Sequence, residues 1–251
     1  MADIRVEKRE DAVAWRQDIK KVERNMRILV DDGCEALCFA GGNCIASFSG
    51  GIPKMLNEDG RLQRQYRNVD FYFLVFNRDR TAQVKWGVGK NPVTYQDSKL
   101  EGAMISVSAY GHCEVTVYNA RDLWESMPPE ATVDGVIEPK EVAMHIQRDI
   151  ISKIGPIISR KLNEIGDYTK VLGCLDELNH AILTELHGLE TDGLRLSKVV
   201  IEAMDFTEQS KEFIALAQER AKSKITQEIV ASQAGQLQAI IDAVDGKKED
   251  K

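Results

Sequence analysis

The apolar positions along the chain change their period once, near residue 119. From Met26 to Asn119 the apolar runs are short, rich in β-branched and aromatic residues, and separated by turn residues, as in RILVDD, EALCFAGGN, VDFYFLVFNRD and AMISVSAYGHCEVTVYN. Runs of this kind are typical of β-strands. We expect hairpins at 41–43 (GGN) and 77–80 (NRDR), where residues that tolerate positive φ separate two runs. This part of the chain is therefore predicted to be antiparallel β-structure.

Past residue 119 the apolar residues recur every three or four positions, which is the period of an α-helix. A short helix is predicted over 120–127, capped by Asn119 and ended by two prolines. Longer helices are predicted over 138–165, with a kink at Gly155-Pro156, and over 168–186. Residues 193–204 alternate like one more strand. Strands followed by helices, a late strand and a further helix indicate an α+β protein.

The last predicted helix, 207–245, has an apolar pattern unlike that of a helix buried in a globular core. One set of apolar residues has spacings of 3, 4, 4 and 4, and the set after it has spacings of 4, 3, 4 and 3: Ile214, Ala217, Ala221, Ile225 and Ile229, then Val230, Ala234, Leu237, Ile241 and Val244. The second set is a heptad-type seam, and the first approaches an 11-residue rhythm, so we expect a change of winding between them.

Such a helix is marginal alone and stable when neighbouring helices cover its apolar side. Gly235 makes the isolated helix less stable still, because a glycine inside a helix lowers its stability by ~1 kcal/mol relative to alanine. We therefore expect these residues to form an oligomer interface: Ile214, Ala217, Ala221, Ile225, Ile229, Ala234, Leu237, Ile241 and Val244. The predicted organisation is a charged N-terminal segment (1–25), a globular domain (26–206), an oligomerisation helix (207–245) and a polar tail (246–251).

Composition and charge narrow the possible partners. The formal net charge of -7 disfavours nucleic acid and anionic lipid as sequence-independent partners. No apolar run approaches the roughly 18 residues that a spanning helix needs, so direct membrane insertion is not expected. Five cysteines without a C-x-x-C pair, and no recognisable signal peptide, favour a reducing cytoplasmic location.

The stretch VKWGVGKNPVTYQDS, residues 84–98, invites comparison with a phosphate-binding loop. A Walker A loop needs a glycine five residues before the second glycine and a Ser or Thr after the lysine, where this chain has Val84 and Asn91. A dinucleotide fingerprint would need a third glycine at Pro92, and a helix after it. The glycines are better explained as a hairpin bend, and no cofactor is predicted.

The cysteines and histidines are the remaining candidates for a metal site or a catalytic site. Cys34, Cys38 and Cys44 with His112 or Cys113 are a conceivable metal set, but no pair has the spacing of a zinc site, and small core thiols are favoured. A Cys–His nucleophile would combine Cys113 or Cys174 with one of the four histidines: His112, His145, His180 and His187. His112 and Cys113 would point to opposite faces of a strand. Trp15, Trp86 and Trp124 are interpreted as core or docking aromatics rather than as a ligand cage. No catalytic or metal site is predicted.

Several segments, taken in order, resemble one known superfamily. KWG, then a bend, then PVTYQD (92–97) and VSAYGHCEVTV (107–117), together with the stretches 11–43, 50–56 (GGIPKML) and 175–214, look like the SPFH or Band 7 superfamily of stomatin, prohibitin and flotillin. The similarity is greatest to its soluble prokaryotic, virion-core-protein-like branch, and covers roughly Asp11 to Lys224. The resemblance implies an SPFH-like domain followed by a coiled-coil-type helix. It also implies a role at a membrane, although this sequence has neither the N-terminal apolar segment nor the zinc ribbon of some relatives.

Two functions of different classes follow. The first is a non-enzymatic scaffold that forms large homo-oligomeric rings or cages and organises partner proteins, at a membrane through an integral membrane partner. The second is a small-molecule enzyme or metal-binding protein that uses the region of Cys34, Cys38, Cys44, His112 and Cys113. Large closed particles without bound metal would favour the first.

Overall fold

The computed structural model describes residues 3–20, 22–23, 25–56, 65–66, 69–127, 135–186 and 192–245, with side chains described as far as residue 237. The strands are β1 Asp3–Val6, β2 Ala14–Ile19, β3 Met26–Val30, β4 Cys34–Ala40, β5 Asn43–Ser49, β6 Lys54–Leu56, β7 Phe71–Asn77, β8 Ala82–Gly87, β9 Val93–Asp97, β10 Ala103–Val117, β11 Val136–Ile137 and β12 Leu194–Phe206. The helices are α1 Ala120–Ser126, α2 Pro139–Ile165, α3 Tyr168–Val171, α4 Leu175–Glu185 and α5 Glu208–Asp245. Strands and helices are both abundant, so the α+β class is confirmed.

The described strands form three sheets. A five-stranded sheet has the order β11-β2-β7-β4-β5, and all its pairs are antiparallel. A second sheet, which we call the β10 sheet, has the order β12-β10-β8, with β9 also paired to β10. A small third sheet, β1-β3-β6, contains a parallel pair between β1 and β3, where the sequence predicted only antiparallel structure.

The five-stranded sheet is covered on both faces, which explains the unbroken apolar runs in its central strands. In β7, Leu74 and Phe76 pack into one hydrophobic cluster, and Phe73 and Val75 pack into another. The first cluster is shared with the β10 sheet and the helices, and the second with the small sheet. A strand buried on both sides has no need of alternating polar residues.

Helices α2 and α4 cover the inner face of the β10 sheet. Helix α2 packs against β8 and β9, and α4 packs against β12 and α2. The stripe that predicted the long helix is fully buried at Val142, Ile146, Ile150, Ile154, Ile158 and Leu162. Helix α2 begins at Pro139, after a reciprocal capping box between Glu138 and Glu141, and it continues through Pro156 to Ile165. The apolar sides of α2 and α4 therefore cover one face of the β10 sheet.

The N-terminal segment is part of the domain, so the predicted boundary at residue 26 is wrong. Strand β2 pairs with β7 along its whole length, and β1 pairs with β3. Val13, Trp15 and Ile19 are buried. The segment looked detached in the sequence because its few apolar residues are separated by charged ones, and the partner strand of β2 lies more than 50 residues further along the chain.

Of the two predicted hairpins, one is confirmed and one is wrong. Gly41 and Gly42, with φ of 55° and 82°, join β4 to β5, where Ala40 faces Asn43. Residues 77–80 instead carry the chain from the five-stranded sheet to the β10 sheet. The buried Asn77 side chain shapes that passage: its amide donates to the Arg9 carbonyl at 2.8 Å, and its oxygen accepts from the N–H groups of Asp79 and Arg80.

The glycine loop is not the bend of a hairpin either. Strands β8 and β9 both pair with β10, with Gly87 opposite Tyr110 and Val93 opposite Val107. The two strands are thus successive parts of one edge, and residues 88–92 loop out between them. The N–H of Val88 donates to the Ala109 carbonyl at 2.9 Å and anchors the loop.

The helix predicted over 168–186 is broken in two. Helix α3 ends at Val171 and α4 begins at Leu175, after Gly173 and the buried Cys174. The Cys174 thiol donates to the Val171 carbonyl at 2.9 Å, in the turn between the helices. The break leaves Leu172 exposed beside the start of α5.

A substitution at Gly111 in β10 tests the register between β10 and β12. A Cβ atom at this position would overlap the carbonyl oxygen of Val200, at a register shift between the two strands. We expect Gly111→Ala to destabilise the protein by about 1–3 kcal/mol, because neither backbone can easily move aside. Gly89→Ala is the matched control, since its Cβ would meet no described atom within 4 Å. Thermal unfolding of both variants checks this, and equal melting temperatures would contradict the register.

Candidate assembly interface

The start of α5 is fixed firmly to β10. Strand β12 ends at Phe206, and the N–H of Thr207 then donates to the Ser106 carbonyl at 3.0 Å. The Ser106 N–H donates to Oγ of Ser210, a buried serine, at 2.9 Å. Lys211 forms an ion pair with Asp205 at 2.7 Å, and its hydrogen bond lowers the pKa of that carboxyl. These bonds set the direction in which α5 leaves the domain.

The first three turns of α5 lie against α3. Ile214 is 8% exposed and belongs to the main hydrophobic cluster. Gln218 donates through Nε2 to the Tyr168 hydroxyl at 3.2 Å. Leu172 and Phe206 line the same shallow groove between the helix and the domain. Among the described side chains, this Gln218 bond is the last from α5 to the domain.

Beyond Gln218 the helix projects away from the domain. Every residue from Glu219 to Leu237 is exposed. The large apolar side chains are no exception, with exposed fractions of 57% for Ile225, 53% for Ile229, 59% for Val230 and 62% for Leu237. The projecting part, 219–245, is about 40 Å long. A helix in this position has no tertiary packing to stabilise it, and isolated helices of this kind are marginal in water.

The residues predicted to form the interface divide into three groups. Ile214 is buried in its own domain, so its place in the predicted oligomer seam is corrected; Ala217, beside it, is half-buried. Five others are exposed on the projecting helix: Ala221, Ile225, Ile229, Ala234 and Leu237. Ile241 and Val244 belong to the same helix, but their side chains lie outside the described residues.

The sequence did not reveal the residues that anchor the helix. Thr207 and Ser210 could have been recognised from the polar start of the helix, because Ser and Thr cap helices. Tyr168 and Gln218 could not, since 50 residues separate them and neither belongs to a local motif.

The residues of the alternative metal site are not brought together. Cys34 and Cys38 lie in the cluster between the five-stranded and small sheets, and Cys113 lies in the other cluster. Cys44 is half-buried on β5, where the Arg121 guanidinium donates to its sulfur at 3.4 Å. Within the described part of the chain, no three His, Cys, Asp or Glu side chains are placed to hold a metal ion.

The cysteine–histidine pairs are also separated. Nδ1 of His112 lies 2.7 Å from a Glu202 carboxylate oxygen on the outer face of the β10 sheet, whereas Cys113 faces the core. His145 is half-buried on α2, His180 is exposed on α4, and His187 falls outside the described residues. Trp15 and Trp86 are buried core residues, and the half-buried Trp124 packs edge-on against Phe39.

Burial makes four of the five thiols poor nucleophiles. It raises the pKa of Cys34 to about 11, and the pKa values of Cys38 and Cys113 to about 12. It also raises the pKa of Cys174. A raised pKa means that these groups stay as neutral thiols near pH 8, and the thiolate is the reactive form.

We expect one thiol, Cys44, to react rapidly with a thiol reagent in the native protein at pH 8. The other four should react at least ~100-fold more slowly, because they are both buried and protonated. Absorbance-monitored labelling before and after denaturation measures this, and Cys44→Ser is the control that should remove the fast phase. Fast labelling of two or more thiols would contradict the described burial.

No protein-family model matches this chain, and no curated protein matches it. Of the helices in the described residues, none is long and apolar enough to cross a bilayer.

Proposed function

We propose that the protein is a non-enzymatic scaffold of the SPFH or Band 7 type, which associates through α5 into large homo-oligomeric rings or cages. The observation that carries the proposal is the projecting part of α5, whose large apolar residues are more than half exposed: Ile225, Ile229, Val230 and Leu237. Burying one such side chain contributes about 1.5–3 kcal/mol, and a symmetric assembly repeats this at every contact.

The anchoring of α5 favours assembly over a flexible tail. The hydrogen bonds at Thr207 and Ser210 and the packing of Ile214 hold the base of the helix against the domain. Every copy therefore presents its apolar residues in the same direction and at the same distance from the domain. Because less orientational freedom is lost on association, fixed geometry favours a closed assembly.

The resemblance to the SPFH superfamily supports the same function. It implies a domain that ends in a helix, a turn and a strand followed by a further helix, and α4, β12 and α5 occur in that order. We propose that the assembly organises partner proteins in the cytoplasm, and that it reaches a membrane through an integral membrane partner.

The experiment is the mass of the purified full-length protein by light scattering, with negative-stain microscopy and metal analysis of the same sample. We expect closed particles with many times the 28.1 kDa mass of one chain and no stoichiometric metal. A monomer at tens of micromolar would contradict the proposal. Bound metal at one ion per chain would instead support the metal-binding alternative.

A further inference from the structure

Strands β8 and β9 form one edge of the β10 sheet, on the side away from β12. An edge strand directs every second N–H and C=O group away from its sheet, where a strand of another molecule can bind them. The hydrogen bonds of β9 identify these outward groups at Thr94 and Gln96, and the row continues at Ser98. In β8 the carbonyl of Lys85 is directed outward in the same way. We call this row of backbone groups the β8–β9 edge.

Helix α2 lies along the β8–β9 edge, and its side chains bind the backbone there. Gln147 donates through Nε2 to the Lys85 carbonyl at 2.8 Å. Three turns further along the helix, Ser159 donates through Oγ to the Thr94 carbonyl at 2.7 Å. Both strands of the edge are therefore bound by polar side chains of the same helix.

The last turn of α2 binds the end of the same edge. Oδ1 of Asn163 accepts from the Gln96 N–H at 2.9 Å. The Gly166 carbonyl, just past the end of the helix, accepts from Ser98 twice, from its N–H at 2.8 Å and from its Oγ at 2.6 Å. Thr94, Gln96 and Ser98 are alternate residues, so each successive outward position of β9 and its continuation has a partner on α2.

The spacing of these side chains follows from the buried stripe of α2. Gln147, Ser159 and Asn163 each come directly after a residue of that stripe, so they lie about 100° around the helix from it, along one flank. Gly155 belongs to the same four-residue series, and a Cβ atom there would lie 3.9 Å from Val88, in the loop between the two strands. One flank of α2 thus follows the edge from β8, past the loop, to β9.

The other strand edges are blunted by other means. Strand β11 has only two residues, and β5 has a register shift against β4. On β12, the Ile201 N–H donates to Oδ1 of Asn179, on α4, at 2.9 Å. Short strands, bulges and covering helices all hinder the addition of a further strand. Strand β9 is instead regular in its pairing with β10, and its exposed side chains, Thr94 and Gln96, are uncharged.

We infer that α2 is an edge cap, a contact within the chain that prevents β9 from pairing with β9 of a second copy. Without the cap, β9 presents free backbone groups and no charge to repel a like strand. Such pairing between sheet edges leads to aggregates of the cross-β kind. The edge cap is separate from the contacts of α5 and does not rest on the proposed assembly.

The double variant Ser159→Ala/Asn163→Ala tests the edge cap in the full-length protein. Alanine has a higher helix propensity than serine or asparagine, so the substitutions do not weaken α2 itself. We expect hydrogen exchange in residues 93–98, measured by mass spectrometry, to become about 10-fold faster. On incubation, the variant should form sedimenting material that binds thioflavin T, a dye for cross-β structure.

Two further variants serve as controls. Asn163→Asp keeps an oxygen that accepts from the Gln96 N–H, so its exchange and solubility should match those of the wild-type protein. Arg148→Ala/Ser152→Ala removes two exposed side chains of the same helix, and the Ser152 hydroxyl bonds only to the Asp149 carbonyl within α2. This variant should also remain soluble and free of thioflavin T binding.

Added lysines distinguish edge pairing from a general loss of stability. In the Ser159→Ala/Asn163→Ala protein, Thr94→Lys/Gln96→Lys places like charges on the edge strand and should lower thioflavin T binding at least ~5-fold without raising the melting temperature. Three results would each overturn the edge cap: unchanged exchange in residues 93–98, equal thioflavin T binding by the Arg148→Ala/Ser152→Ala protein, or no suppression by the lysines. None of these readouts depends on whether α5 associates between copies.

Discussion

Replacing Ile229 and Leu237 together with Asp is expected to convert the assembled protein into folded monomers of about 28.1 kDa. Both side chains are more than half exposed in the single chain, so the substitutions remove little packing within the domain. In the assembly, each would place a charge where about 1.5–3 kcal/mol of apolar burial is otherwise gained. Ile229 and Leu237 lie about 80° apart around the helix, so the two aspartates affect a broad part of its exposed apolar surface.

The measurement is particle mass by light scattering alongside circular dichroism and thermal unfolding. Ala231→Asp/Gln238→Asp is the matched control: it adds two aspartates to the same stretch of helix, about 150° around the helix from the midpoint of Ile229 and Leu237. The control should keep the wild-type mass. If the Ile229→Asp/Leu237→Asp protein also keeps it, α5 is not the element of assembly.

The parts of the fold that were predictable are those decided by neighbouring residues. Alternation and turn residues identified the strands of the hairpin at Gly41 and Gly42, and a buried stripe every three or four residues identified α2. Asn119 was recognised as a helix cap, and its side chain does accept from the N–H groups at the start of α1. In each case the physical cause lies within a few positions of the residue concerned.

The errors arose where the partner of a segment is distant in sequence. The charged N-terminal segment gives no strong strand signal, yet β2 is held by β7 more than 50 residues later. Likewise, a glycine loop between two strand-like runs predicts a hairpin, but both β8 and β9 use β10 as their partner. A local pattern shows that a segment is extended, and only the whole set of strands decides which partner it takes.

The same limit applies to α5. Its spacing identified a helix with an apolar pattern too long for one domain, and the described apolar residues beyond Gln218 are indeed exposed. The pattern could not show where the domain ends. Ile214 and Ile225 both belong to the first apolar set of the predicted interface, yet Ile214 is buried and Ile225 is 57% exposed. The difference depends on α3 and the end of β12, which are brought to the base of α5 by the tertiary fold.

The position at which α5 ceases to contact the domain can be located by comparing two truncations. A chain that ends at Glu219 keeps Ile214 and the bond from Gln218 to Tyr168, so we expect a monomer that unfolds at nearly the same temperature as the Ile229→Asp/Leu237→Asp protein. A chain that ends at Ser210 loses that contact and leaves Leu172 and Phe206 uncovered. Losing the burial of Ile214 alone costs about 1.5–3 kcal/mol, which lowers the melting temperature by roughly 3–12 °C in a protein of this size.

Both truncated proteins should have lost the assembly, so stability rather than mass distinguishes them. The comparison is made by calorimetry at equal chain concentration, with the Ile229→Asp/Leu237→Asp protein as the monomeric reference. Equal melting temperatures for the two truncations would show that Ile214 and Gln218 add nothing to the domain in solution. The whole of α5 would then be free to associate between copies, and the boundary between domain and assembly helix would lie at Thr207, where the sequence pattern alone had put it.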